Sequence, residues 1–195
     1  MSVSQDWGTE PGEHELPFPC DWRARAGAEA YYRGVSIDAT PEAVFRWLCQ
    51  MRVAPYSYDW IDNRGRKSPP KLIAGLDDLE PGQEFMGVFE LVEFESGRHV
   101  TLRTKPTSRV ARAFGKVWVS YLIVPSEPNR CRLLVKLLVE YPRGWMGRWM
   151  RLFFPWGDLI MMRRQLLNFK RLAEESAAPS RSRIKPQAVR PGRPR

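Results

Sequence analysis

The sequence is poor in the residues that most nucleophilic and metal sites need. Its 195 residues include two histidines, His14 and His99, and three cysteines, Cys20, Cys49 and Cys131. No His-x-His pair and no Cys/His cluster occurs, so the common zinc spacings are absent and no metal is implied. Three cysteines far apart do not make a disulfide framework, and Cys49 and Cys131, inside apolar segments, read as small core residues. His14 lies in a polar leader and His99 at the start of a strand candidate, which leaves a Ser-His-Asp or Cys-His nucleophile little to draw on. A long unbroken apolar run is also missing. The most apolar stretch, "GWMGRWMRLFFPWGDLIMM", is interrupted by Arg148, Arg151, Pro155 and Asp158 and makes a poor membrane span. The opening "MSVSQDWGTEPGEHELP" lacks the basic-then-apolar order of a secretory signal, so the expected location is the cytoplasm.

What is present describes a globular chain with a basic end. Hydrophobic residues make up 43% and charged residues 27%, enough apolar matter for one core. The formal charge is +9, of which "SRSRIKPQAVRPGRPR" carries six through Arg181, Arg183, Lys185, Arg190, Arg193 and Arg195, without an acid. The remainder is therefore only mildly basic. That tail, from about residue 177, is Pro/Arg/Ser-rich and is expected to be disordered, with weak contact to anionic membrane or nucleic acid as its possible partners. The first 28 residues, rich in Gly, Pro and Glu, read as an extended arm that packs through Trp7, Phe18 or Trp22.

Between arm and tail, residues 29–176 read as one domain. "YYRGVSID" alternates like a strand, and Thr40-Pro41-Glu42 supplies an N-cap, a first-turn proline and a first-turn acid. The helix so begun puts Val44, Trp47, Leu48 and Met51 on one face. After a loop-rich stretch and a Pro81-Gly82 turn come strand candidates in "EFMGVFELVEFE", with Gly87 as a bulge, "RHVTLRTK", "GKVWVSYLIVP" and "CRLLVKLLVEYP". Short links such as Ser96-Gly97 favour antiparallel hairpins. The chain closes on "GDLIMMRRQLLNFKRLAEES", with Asp158 as its N-cap and a stripe of Leu159, Met162, Leu166, Phe169 and Ala173. This order is α+β, a curved antiparallel sheet gripping a long C-terminal helix.

In that order the sequence resembles the SRPBCC superfamily, the helix-grip fold of START domains, birch-pollen-allergen-like proteins and polyketide cyclases. The residues that carry the resemblance are "VSIDATPEAVFRWLCQM" for the opening strand and helix, "PGQEF" for the turn into the next strand, and "MMRRQLLNFKRLAEE" for the closing helix. "APYSYDWIDNRGRKSP" resembles a feature of an uncharacterised bacterial subgroup. The resemblance spans about residues 30 to 175. It implies an internal cavity between sheet and helix that binds a hydrophobic, lipid-like small molecule, without a cofactor.

Candidate site residues follow. Asp59 with Tyr56 and Tyr58 could do acid–base work of a cyclase or dehydratase kind. Against this, Ser57 can cap a short helix that Gly65 ends, with Asp59 in its first turn and Asp62 paired to Arg66, which uses the same residues structurally. Ligand contacts are assigned to Trp60, Glu90, Arg103, Trp118, Met162 and Leu166, with Met161 as a further adaptable wall. Binding is the leading expectation and catalysis the alternative. The aromatic-basic stretch 143–156 reads as a connection packed on the sheet, as a lid over the cavity, or as a membrane-interface segment of a peripheral lipid carrier.

Overall fold

The computed structural model describes residues 2–58, 60, 65–108 and 115–178. Strands β1 (Asp6–Trp7), β2 (Glu29–Ile37), β3 (Glu84–Phe85), β4 (Phe89–Glu95), β5 (His99–Thr104), β6 (Lys116–Glu127) and β7 (Arg130–Glu140) form one sheet in the order β1-β2-β7-β6-β5-β4-β3. Every pairing is antiparallel except β1 with β2, and the sheet is curved and unclosed. Helix α1 (Pro41–Cys49) follows β2, and the 33-residue helix α2 (Trp145–Ala177) closes the domain.

Local chemistry explains the element boundaries. The Thr40 hydroxyl accepts a hydrogen bond from the Ala43 amide at 3.3 Å, and Pro41 occupies the first helical turn, where its missing N–H costs nothing. Val44, Trp47, Leu48 and Met51 are all buried, as the helical spacing predicts. Gly87 is not a bulge. With Met86 it forms the left-handed corner between β3 and β4 (φ 51° and 73°), and the bulge lies further on, between Leu91 and Glu93.

The alternation along the long strands sorts side chains onto two buried faces. Val117, Val119, Tyr121 and Ile123 of β6, with Leu133, Val135, Leu137 and Val139 of β7, face α1 and α2 in the main core. Trp118 and Leu122, with Leu134 and Leu138, point the other way and are roofed by the N-terminal arm through Phe18 and Cys20. The Lys136 ammonium crosses this second layer, 5.3 Å from the Phe18 ring centroid, and pairs with Asp21 of the arm. Trp7 leans on the main core, whereas Trp22 is exposed. A strand pair apolar on both faces is thus accounted for: each face has its own cover.

The closing helix departs from expectation. It begins at Trp145, thirteen residues before Asp158, and carries Pro155 inside it. Asp158 is consequently a mid-helix side chain and not a cap. The stretch 143–156 is not a connection lying on the sheet: its greater part is the first half of α2, and Trp145, Trp149, Phe153 and Trp156 are exposed. The anticipated stripe of Leu159, Met162, Leu166, Phe169 and Ala173 is buried.

Removing the arm's main anchor tests the double-sided sheet. Phe18→Ala is expected to cost about 3 kcal/mol in urea unfolding, because a fully buried ring leaves a cavity behind. A loss below ~1 kcal/mol would mean that Phe18 does not roof the outer face.

Candidate functional site

The curvature of the sheet leaves space between its inner face and the first half of α2. A cavity of about 580 Å³ lies there. Val117 and Val119 of β6 and Leu137 of β7 form its floor, and Met86, Val88, Phe89 and Thr104 close one side. Helix α2 supplies the facing wall through Phe153, Phe154, Gly157, Asp158, Met161, Met162 and Gln165. The lining is overwhelmingly apolar, with a few convergent polar groups, which is the ordinary make-up of a small-molecule site.

Those polar groups gather where β6 meets the middle of α2. The Tyr121 hydroxyl donates to Gln165 Oε1 at 2.7 Å, and Gln165 Nε2 donates to the Pro55 carbonyl at 2.6 Å. Tyr121 and Gln165 are buried, and burial pushes the Tyr121 phenol far above its usual range. With its proton committed to Gln165, the phenol still offers lone pairs to the cavity. About two helical turns before Gln165, Asp158 Oδ2 accepts from Arg33 Nη2 at 2.8 Å. Arg33 is fully buried in the middle of β2; its terminal nitrogens also donate to the carbonyls of Ser4, Gln5 and Tyr32, whereas its Nε–H is buried without a partner among the described residues. Desolvation raises the Asp158 carboxyl to about 6, against the opposing pull of the Arg33 guanidinium.

The anticipated site residues scatter. Met162 lines the cavity, and Leu166 lies beneath it in the core. Glu90, Arg103 and Trp118 stand in one cross-strand row on the outer face. There Glu90 pairs with Arg103, and the Arg103 guanidinium carbon sits 5.9 Å from the Trp118 ring centroid, so these three do not border the cavity. Period-2 alternation carries them to the face opposite Leu102 and Val119. Trp60 is 76% exposed.

Tyr56 does not border the cavity either. It is held at φ 57° with its ring against Trp47 and Phe169, its hydroxyl donating to the Pro69 carbonyl and its own carbonyl accepting from Asn168. So many partners are what keep an aromatic residue in the left-handed region, and they mark Tyr56 as structural. Tyr58 stacks near Arg164, 5.9 Å from ring to guanidinium carbon. Asp59, Asp62 and the short helix proposed around them, like the basic tail from 179 onward, lie outside the described residues.

The residues that sequence reading missed are Asp158, Arg33, Tyr121 and Gln165. Their one sequence signal is a lone acid among apolar neighbours, "PWGDLIMM", matched by a lone arginine within an alternating strand. Among the described residues no group of His, Cys, Asp or Glu could hold a metal ion, and no helix is long and apolar enough to cross a membrane.

The titration of Asp158 is directly measurable. Because its folded pKa lies above the unfolded value, the stability linked to its proton is fully present below about pH 4 and is lost as the pH rises through about 6. Carboxyl-carbon NMR of the labelled protein should show Asp158 titrating near pH 6; a midpoint near pH 4 or below would show that the Arg33 pairing outweighs desolvation.

No protein-family model matches the sequence, and no curated protein matches it either. Solved structures do resemble the fold. The di-domain ARO/CYC protein BexL from the BE-7585A biosynthetic pathway aligns with a TM-score of 0.50 and 8% identity over 77% of this chain and 48% of that one. A point mutant of Thalictrum flavum norcoclaurine synthase in complex with a transition-state analogue aligns at 0.46, with 8% identity over 80% of this chain and 99% of that one. A START superfamily protein from Mycobacterium smegmatis aligns at 0.43, with 15% identity over 77% and 97%. The order of elements, the curved open sheet and the long terminal helix identify the architecture as the helix-grip fold that the SRPBCC resemblance implied.

Proposed function

We propose that this protein binds an apolar small molecule in the cavity between its sheet and α2, oriented by a single polar wall. The observation that carries the reading is the segregation of the lining. Tyr121, Asp158 and Gln165 lie on one side, the Thr104 hydroxyl is engaged by the Val117 amide, and apart from Ser57 the remainder is dominated by valine, leucine, methionine and phenylalanine side chains. A ligand with an apolar body and one hydrogen-bonding end matches this division. Its body gains from leaving water at about 25 cal/mol per Å² buried, and its polar end is spared the cost of an unpaired group. Met86, Met161 and Met162 give the walls some shape tolerance, which suits a class of ligands more than one rigid molecule.

A cavity-filling substitution tests the reading. The naphthylamine dye N-phenyl-1-naphthylamine should bind with enhanced fluorescence, and Val119→Phe, which places a ring in the floor, should weaken it by ~tenfold or more. Equal dye affinity in both proteins would sink the proposal. Native mass spectrometry of protein purified from its own host is the complement, since a retained molecule should be apolar with one polar end.

A second reading, acid–base chemistry on the bound molecule, is supported by Asp158. A carboxyl with a pKa near 6 beside an apolar cavity can give or take a proton at neutral pH. In this form the cyclase- or dehydratase-like alternative rests on Asp158 and Tyr121, which line the cavity, and not on Tyr56 or Tyr58, which do not. If a retained molecule is converted by the wild type, Asp158→Asn should abolish conversion while dye binding persists. Unchanged conversion in the variant would remove Asp158 from any catalytic role.

A further inference from the structure

Helix α2 is apolar on two sides, and only one of them is covered. Trp145, Trp149, Leu152, Phe153, Trp156 and Ile160 are all exposed, at 73% for Trp145, 57% for Trp149, 61% for Phe153 and 54% for Trp156. At about 100° per residue these six positions fall within an arc of about 100°, a straight stripe some four turns long. The core-facing residues Leu159, Met162 and Leu166 lie on another side of the same helix. Trp149 and Phe153 stack within the stripe, with ring centroids 5.7 Å apart. A contiguous apolar patch of this extent on a monomer's surface marks something that covers it.

Charge narrows what that cover is. Arg143, Arg148, Arg163 and Arg164 flank the stripe at the surface, and the single acid between residues 141 and 173 is Asp158, which is turned inward to Arg33. Two copies of the chain joined through this stripe would bring arginines of one against arginines of the other, a repulsive arrangement. An anionic lipid surface instead accepts the arginines at its headgroups and the indole and phenyl rings just beneath them. The stripe also runs into the cavity: Phe153 is both an exposed member of the stripe and part of the cavity lining, with Gly157 and Met161 beside it.

We infer that the outer face of the first half of α2 is a docking surface for anionic membrane, and that the cavity is loaded from that membrane with a lipid-soluble molecule. The loading step rests on the cavity-binding reading; the docking step does not. Docked along the stripe, the protein holds the cavity mouth at Phe153 against the acyl region. A ligand then passes from lipid to cavity over a continuous apolar path, without the cost of crossing water.

The test uses the full chain and flotation on vesicles of phosphatidylcholine containing about a quarter phosphatidylglycerol. Wild-type protein should float with these vesicles and far less with phosphatidylcholine alone. The variant Trp149→Ser/Phe153→Ser/Trp156→Ser, which keeps the basic tail, should bind ~tenfold more weakly or worse. Undiminished binding by this variant would overturn the proposal and assign lipid attraction to other basic segments. Failure of the wild type to float would overturn it as well, as would a dimer in sedimentation velocity that the triple substitution dissolves. Should the variant's circular dichroism depart from that of the wild type, quenching of wild-type tryptophan emission by brominated lipid decides: quenching supports insertion, and its absence refutes it. Val119→Phe separates the two readings. It should float like the wild type while losing the dye; a wild type that floats but binds no dye condemns the cavity alone, whereas a wild type that binds dye but does not float condemns the docking alone.

Discussion

The buried pair of Arg33 and Asp158 is the contact through which the other parts of the site are positioned. A guanidinium in the middle of a strand, with no solvent exposure, must satisfy its donors inside the protein or destabilise it by several kcal/mol. Here the two terminal nitrogens find partners on three separate pieces of chain, the arm at Ser4 and Gln5, the strand itself at Tyr32, and helix α2 at Asp158, and only the Nε–H goes without among the described residues. The same residue therefore fixes the arm to the sheet edge as strand β1 and sets the rotation of α2 about its axis. With Asp158 aimed at Arg33, Met161, Met162 and Gln165 turn toward the sheet as well, since at i+3, i+4 and i+7 they share its face of the helix. The polar wall of the cavity is in this sense a by-product of satisfying one buried cation.

The two halves of α2 then do different work. From Gln165 onward the helix is packed against α1 and β2, with Phe169 on Tyr56, Ala173 fully buried, and Trp47 donating to Ser176 near its end. Before Gln165 the helix is a wall with space behind it. The curved sheet meets it at Tyr31 and Tyr141, which pack on Phe154, and at Glu29 and Arg33, which pair with Arg151 and Asp158, and it stands off between these contacts to leave the cavity. One helix is thus both the plug of the core and the lid of the site.

Much of this was legible in the sequence, and the failures have physical causes. Alternation in "CRLLVKLLVEYP" separates the two faces of β7 correctly, and Thr40-Pro41 marks the start of α1 because capping chemistry is local. What alternation cannot supply is which face looks inward when both are covered. Trp118, Arg103 and Glu90 were assigned to a ligand for that reason, and the cover on their side of the sheet comes in part from an arm more than seventy residues away in sequence. The start of α2 was misplaced because Pro155 and Gly157 carry the signature of a break. Tertiary packing overrode it: Phe154 inserts between two tyrosines, Pro155 is itself buried, and Asp158 reaches a charge 125 residues distant. Asp158 then passed for a cap, the role an aspartate takes when a helix begins beside it.

The misread proline also bears on how a ligand would get in. Pro155 has no N–H, so the carbonyl of Arg151 lacks the helical partner that would otherwise tie those two turns together. This weak point lies next to Phe153, Gly157 and Met161, at the mouth of the cavity, and far from the anchored segment beyond Gln165. Gly157 adds to it, since a glycine inside a helix gives up more backbone entropy than any other residue on staying ordered. On the docking proposal, the half of the helix before the buried ion pair is the part that entry of a ligand would disturb. Any surface that grips the exposed tryptophans pulls on the same half. The anchored Asp158–Arg33 pair stands between that half and the packed core beyond it.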